Sequence, residues 1–245
     1  MIMLCTAVQE IVTPVTLHSL RTPATLDRVR VWGAEVVATA QTVPKATRPD
    51  VWLGETGSAQ AGGQSGVSGR WVATLWWLDQ LGSLAVLHHK VQCRQTLSGS
   101  DYGLIDDQTM RPTPEFWASV LWRRLMGSKV YAARAEGAAD TMRVYCHENA
   151  AKPGGGKKGR SCLFLNLADA PVAVELGGGR GARQPELWLL ESTALDSGSL
   201  TINKASPETA ADGTVPALPG SQLVDCGPEQ CVVALPPRSA AFVRI

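Results

Sequence analysis

Three apolar residues, Val51-Trp52-Leu53, run into Gly54 and then a carboxylate, Glu55, and this short block limits the possible fold more than any other part of the chain. It reads as a buried strand whose C-terminal end delivers Glu55 to a cleft. Gly57 to Gly63 follow as a loop of small residues, where missing side chains let a ligand approach the backbone. A tryptophan-rich apolar segment comes next, and then a second strand-like run, Lys90 to Gln95. Strand, helix, strand, with an acid at the C-terminal end of the first strand, is how (β/α) barrels present catalytic groups. Taken alone, the hexapeptide also fits a surface glutamate that merely follows a strand.

The flanks extend this α/β pattern. Residues 1 to 21 show no sustained period and receive no element. Thr22-Pro23 supplies a cap with proline at the first helical position, and Leu26, Val29, Gly33, Val36, Val37 and Ala40 recur at helical spacing, predicting a helix that ends before Pro44. Between Val67 and Ala85, Trp71, Val72, Leu75, Trp76, Trp77, Leu78 and Leu81 are too many apolar positions for one stripe, so this helix is expected to be buried on most sides. Its tryptophans fit either a sugar-stacking platform or packing between layers, and aromatic burial favours packing. Asp79 is read as lying on a solvated face. Thr96 to Asp107 form a loop at the end of the second strand, which makes Gln95 and Tyr102 candidates to touch whatever Glu55 touches; turn chemistry is the alternative. Thr113-Pro114 repeats the cap signal for a helix closed by Gly127.

Beyond Gly127 the character changes. Short apolar runs at Met142–Tyr145, Ser161–Leu165, Val172–Leu176, Leu187–Leu190, Val232–Leu235 and Ala241–Arg244 alternate with Gly, Pro, Asp and Ser, which argues an antiparallel β-sandwich. Pro153 to Arg160, glycines 177 to 179 and Ala205 to Gly220 read as surface loops, the first with a solvated basic tip. Six cysteines show no C-x-x-C spacing, and the four histidines make no ligand pattern, so no metal is expected. Cys226 and Cys231 flank a Gly-Pro turn that could join them. Cys146 and Cys162 lie on runs that could pair, with free buried thiols the ordinary expectation for that pair. A net charge of +1 gives no field to gather a polyanion, so nucleic acid is not implied. No run approaches the roughly 18 apolar residues of a membrane span, and Met1 to Val12 make a poor signal peptide.

Taken together, Val51-Trp52-Leu53-Gly54-Glu55-Thr56, Trp77-Leu78-Asp79-Gln80-Leu81-Gly82, Cys93-Arg94-Gln95-Thr96-Leu97, Tyr102-Gly103-Leu104 and Leu121-Trp122-Arg123-Arg124-Leu125-Met126-Gly127 closely resemble the heparanase family, glycoside hydrolase family 79, and its plant heparanase-like branch. The resemblance runs in order from about Leu26 to Val144 and more loosely beyond.

It implies residues 1–127 as the C-terminal part of a (β/α)8 barrel, its last two strands with their helices, and 128–245 as an accessory β-sandwich. In that family the glutamate of the W-x-G-E motif is the nucleophile of a retaining glycosidase, and Glu55 occupies that position. Family members grip the uronic acid with residues matching Gly62, Gly63, Gln95 and Tyr102. The first glycine of that loop is Ala61 here, and the Gln-to-Tyr loop is a residue shorter than in animal heparanases. The resemblance thus implies hydrolysis of β-glucuronidic bonds in a glucuronic-acid-containing glycan, heparan sulfate-like or arabinogalactan-type, with no cofactor. It also implies an extracellular, cell-wall or lysosomal and vacuolar setting, membrane association included. A retaining mechanism needs a second carboxyl about 5 to 5.5 Å from the nucleophile. The family takes it from an Asn-Glu pair on an earlier strand, and no Asn-Glu dipeptide occurs here. The expectation is that an N-terminal barrel segment must be supplied, and that this chain alone is truncated and inactive. A non-catalytic carbohydrate- or protein-binding remnant is the other reading.

Overall fold

The computed structural model describes residues 2–4, 15–150, 159–177, 184–222 and 230–245. These form two compact units that divide within one helix, Met1–Phe116 and Trp117–Ile245.

The first unit alternates strand and helix: β1 (Ile2–Leu4), α1 (Pro23–Gln41), β2 (Val51–Thr56), α2 (Trp71–Val86), β3 (Val91–Arg94) and the start of α3 (Pro114–Leu125). The strands make one parallel sheet in the order β1-β2-β3, with Met3 opposite Trp52 and Trp52 opposite Val91. Two strands were expected here, and β1 is the correction: three residues near the chain start are too few to show a period.

The expected helices form for the expected reasons. Thr22 caps α1, its hydroxyl accepting from the Thr25 N–H, and Leu26, Val29, Gly33, Val36 and Ala40 are buried along one stripe. Gly33 lies at the crossing with α2, where a Cβ would stand 2.5 Å from Leu84 Cδ2 and would have to displace that side chain. In α2 every residue from Trp71 to Leu84 is buried, so the tryptophans pack between layers. Asp79, read as solvated, is instead 1% exposed. A helix buried on all sides has no water-facing stripe on which to leave it.

The second unit is antiparallel. After α3 come β4 (Met126–Tyr131), β5 (Met142–Asn149), β6 (Arg160–Asn166), β7 (Val172–Gly177), β8 (Glu186–Glu191), β9 (Thr201–Ile202), β10 (Ser221–Gln222), β11 (Gln230–Leu235) and β12 (Ser239–Arg244). One sheet runs β10-β8-β12-β6-β5-β4 with β9 added to β8, and β11 pairs with β7 in a second. Met142, Phe164, Ala241 and Val243 of the large sheet pack with Val233 and Leu235 of the small one, and Val172, Val174 and Leu176 close the cluster. Buried Asn166 fastens the corner by donating to the carbonyls of Ala170, Leu235 and Pro236.

Cys146 and Cys162 are bonded, which corrects the free-thiol expectation. The β5–β6 register sets them directly opposite each other, a fact of pairing that spacing cannot show. Cys231 is also disulfide-bonded. Cys226 lies outside the described residues, as do most of the loop from Pro153 and the glycines beyond 177. The Cys146–Cys162 bridge spans 16 residues of chain, a loop for which cross-linking is worth about 3 kcal/mol. Cys146→Ala with Cys162→Ala should lower the stability of this unit by that amount, read from urea unfolding under non-reducing conditions.

Candidate active site

Glu55 stands at the penultimate position of β2, half-buried, where the register with β3 shifts between Leu53 and Thr56. Its carboxylate has no hydrogen bond or ion pair among the described residues, whereas the residue after it is fixed on every side. Thr56 is 1% exposed, and its hydroxyl is hydrogen-bonded to the Gln80 side-chain amide of α2. Its carbonyl accepts the Gln95 N–H at 2.9 Å and Arg94 Nη1 at 3.1 Å. Glu55 is thus a free carboxylate on an anchored backbone.

Arg94, the last residue of β3, organises the surroundings. Besides Thr56, Nη1 donates to the Gln95 carbonyl at 2.6 Å and Nη2 to the Tyr102 carbonyl at 3.0 Å. Nε reaches Glu115 Oε2 at 2.9 Å, and Nη2 bonds the same oxygen. The guanidinium carbon lies 5.5 Å from the ring centroids of Trp76, Trp77 and Tyr102, within cation–π reach of all three. Glu115, in the first turn of α3, is wholly buried. Burial pushes its carboxyl above the ordinary range, while the Arg94 charge and hydrogen bonds, with the Gly69 N–H, pull the other way.

The two loops interlock. The Tyr102 ring covers Gly57, where a Cβ would come within 2.9 Å of it, and the Tyr102 N–H points to the Gly62 carbonyl at 3.4 Å. Gly63 has φ +119, and a Cβ there would meet Asp101 Cβ at 2.8 Å and the Tyr102 nitrogen at 3.0 Å. Ala61 holds φ 52, a left-handed conformation that costs an alanine about 1 to 2 kcal/mol relative to glycine. Ser100 Oγ is buried beside Gly62 without a hydrogen-bond partner among the described residues.

The structure therefore brings Gln95, Tyr102 and the Gly62–Gly63 turn together at the end of the strand pair, with Glu55 one residue from their shared anchor. Tyr102 is 6% exposed, so its ring serves packing as much as any ligand. The sequence reading missed Arg94, Glu115 and Gln80. Arg94 sits within the Cys93-Arg94-Gln95 motif, and Glu115 follows a proline that registered only as a helix start. Among the described residues no group of His, Cys, Asp and Glu is arranged to hold a metal, and no helix is long and apolar enough to cross a membrane.

A parallel strand–helix unit carrying an acid at a strand end, followed by an antiparallel two-sheet unit, is an architecture of glycoside hydrolases. A family 51 alpha-L-arabinofuranosidase from Bifidobacterium longum superimposes with TM-score 0.56 over 95% of this chain and 50% of its own, at 11% identity, a likeness of fold alone. The profile of Glycosyl hydrolase family 79, N-terminal domain, matches residues 14–82. Baicalin-beta-D-glucuronidase of Scutellaria baicalensis is 34% identical over 70% of this chain and 32% of its own length. Heparanase-like protein 1 of Arabidopsis thaliana is 35% identical over 67% and 29%. The chain belongs to glycoside hydrolase family 79 and spans about a third of the length of these curated relatives.

Proposed function

We propose that the chain forms the closing part of a retaining β-glucuronidase of the heparanase type. Residues 1–127 supply the last strands of its barrel and 128–245 its accessory sandwich. Glu55 is the nucleophile, and Gln95, Tyr102, Gly62 and Gly63 bind the glucuronic acid of a uronic-acid-containing glycan, heparan sulfate-like or arabinogalactan-type. The observation that carries this reading is a carboxylate without a partner among the described residues, on a strand end whose next residue is held by three separate groups. Such an acid is kept in place and available to attack. The enzyme works outside the cytosol, in wall, vacuole or lysosome.

In this mechanism Glu55 attacks the anomeric carbon as an acid protonates the leaving oxygen, and water then releases the sugar from the glycosyl ester. No Asn-Glu pair occurs among the 245 residues, so the proton donor comes from a barrel segment outside them. The 245-residue chain by itself should release no 4-methylumbelliferone from its β-glucuronide. The test joins the chain to the remaining barrel and incubates the product with a 2-deoxy-2-fluoro-β-glucuronyl fluoride. Peptide mapping by mass spectrometry should find the adduct on Glu55, and an adduct on another carboxylate would overturn the assignment.

A further inference from the structure

We infer that Arg94, itself held by Glu115, is the positioning residue of this site, setting the nucleophile and the sugar contacts in one geometry. The inference rests on the reading of Glu55 as nucleophile and goes beyond it to a residue that touches no substrate. An ion pair serving stability alone needs only its two members. Arg94 gives Glu115 one oxygen's worth of bonds through Nε and Nη2 and directs its remaining donors to three carbonyls, those of Thr56, Gln95 and Tyr102. Thr56 follows the nucleophile directly, and the other two belong to residues proposed to hold the sugar.

The surroundings keep that fork in one orientation. Its side chain is 5% exposed, three aromatic rings lie 5.5 Å from it, and Glu115 is itself bonded by the Gly69 N–H. Gly69 has φ +65 and closes the glycine-rich loop against the Asp101 carbonyl, so the pair ties both loops to both strands. Only a planar guanidinium can serve carboxylate and three carbonyls at fixed angles; an ammonium keeps the charge and loses the fork.

Arg94→Lys separates these roles. In the joined barrel, covalent labelling by the 2-fluoro glucuronide should reach the same final stoichiometry as the parent, with a rate constant lower by about 10²-fold, the usual penalty for misplacing a reacting group by about an ångström. A residue serving stability alone would lower the stoichiometry and leave the rate constant of the folded fraction unchanged. Amide hydrogen exchange on the 245-residue chain gives a readout independent of chemistry. The Gln95 and Tyr102 amides, bonded to Thr56 and Gly62, should exchange faster in the variant, while β5 and β6 amides do not change. A labelling rate within threefold of the parent, or unchanged exchange at Gln95 and Tyr102, overturns the inference. Should the parent label elsewhere than Glu55, the proposed function fails, and the exchange result still decides what Arg94 holds.

Discussion

Glu55→Gln in the joined barrel is expected to lower kcat on a 4-methylumbelliferyl β-glucuronide by on the order of 10³-fold or more, with folding unchanged. Glutamine keeps the shape of the side chain and removes the charge that forms the glycosyl ester. Because Glu55 has no protein partner among the described residues, no buried group is orphaned by the change, and the thermal midpoint should stay within about 2 °C of the parent. The chemistry can be read more directly. With Glu55→Ala and an activated leaving group, azide should enter the vacated space and attack from the nucleophile's side, giving the α-glucuronyl azide. Loss of the acid/base instead leaves the covalent intermediate to form, and azide then yields the β-anomer. A β-azide from Glu55→Ala would assign Glu55 to proton transfer and overturn its role as nucleophile.

What could be read from sequence follows the range of the interactions involved. The position of Glu55 at a strand end was legible because strand, glycine and loop are adjacent in the chain and each has a local signature. The burial of α2 was legible from its excess of apolar positions, and the antiparallel unit from its alternation of short runs and turn residues. The clamp was not, since Arg94 meets Glu115 across 21 residues and Thr56 across 38, and no periodicity encodes such a meeting. Asp79 was misplaced for a related reason: a polar residue in an apolar run defaults to the solvated face, although here the helix has none. Cys146 and Cys162 met through strand register, which depends on where the hairpin turns. The parts beyond reach were thus the long-range polar contacts, and in this chain those contacts surround the candidate nucleophile.

The same contacts set the largest expected loss of stability. In Glu115→Ala the Arg94 guanidinium keeps its three carbonyls and loses its one counter-charge among the described residues, in a position 5% exposed beneath two tryptophans and a tyrosine. Removing one member of a buried pair costs about 3 to 5 kcal/mol, because the remaining charge has been stripped of water and left unpaired. Urea unfolding followed through tryptophan emission should therefore show the transition of the first unit move to lower urea, while the second unit, with its own core and disulfide, keeps its midpoint. Replacing the pair as a whole, Arg94→Met with Glu115→Leu, removes the orphaned charge but takes the Arg94 donors from the Thr56, Gln95 and Tyr102 carbonyls, so it should recover only part of the loss. That double variant should label at Glu55 as slowly as Arg94→Lys, because the stability it regains comes without the donors that fix Thr56, Gln95 and Tyr102. If labelling recovered along with stability, the pair would be holding the fold alone, and the geometry of the site would have to be set by the Thr56–Gln80 bond and the β3 ladder.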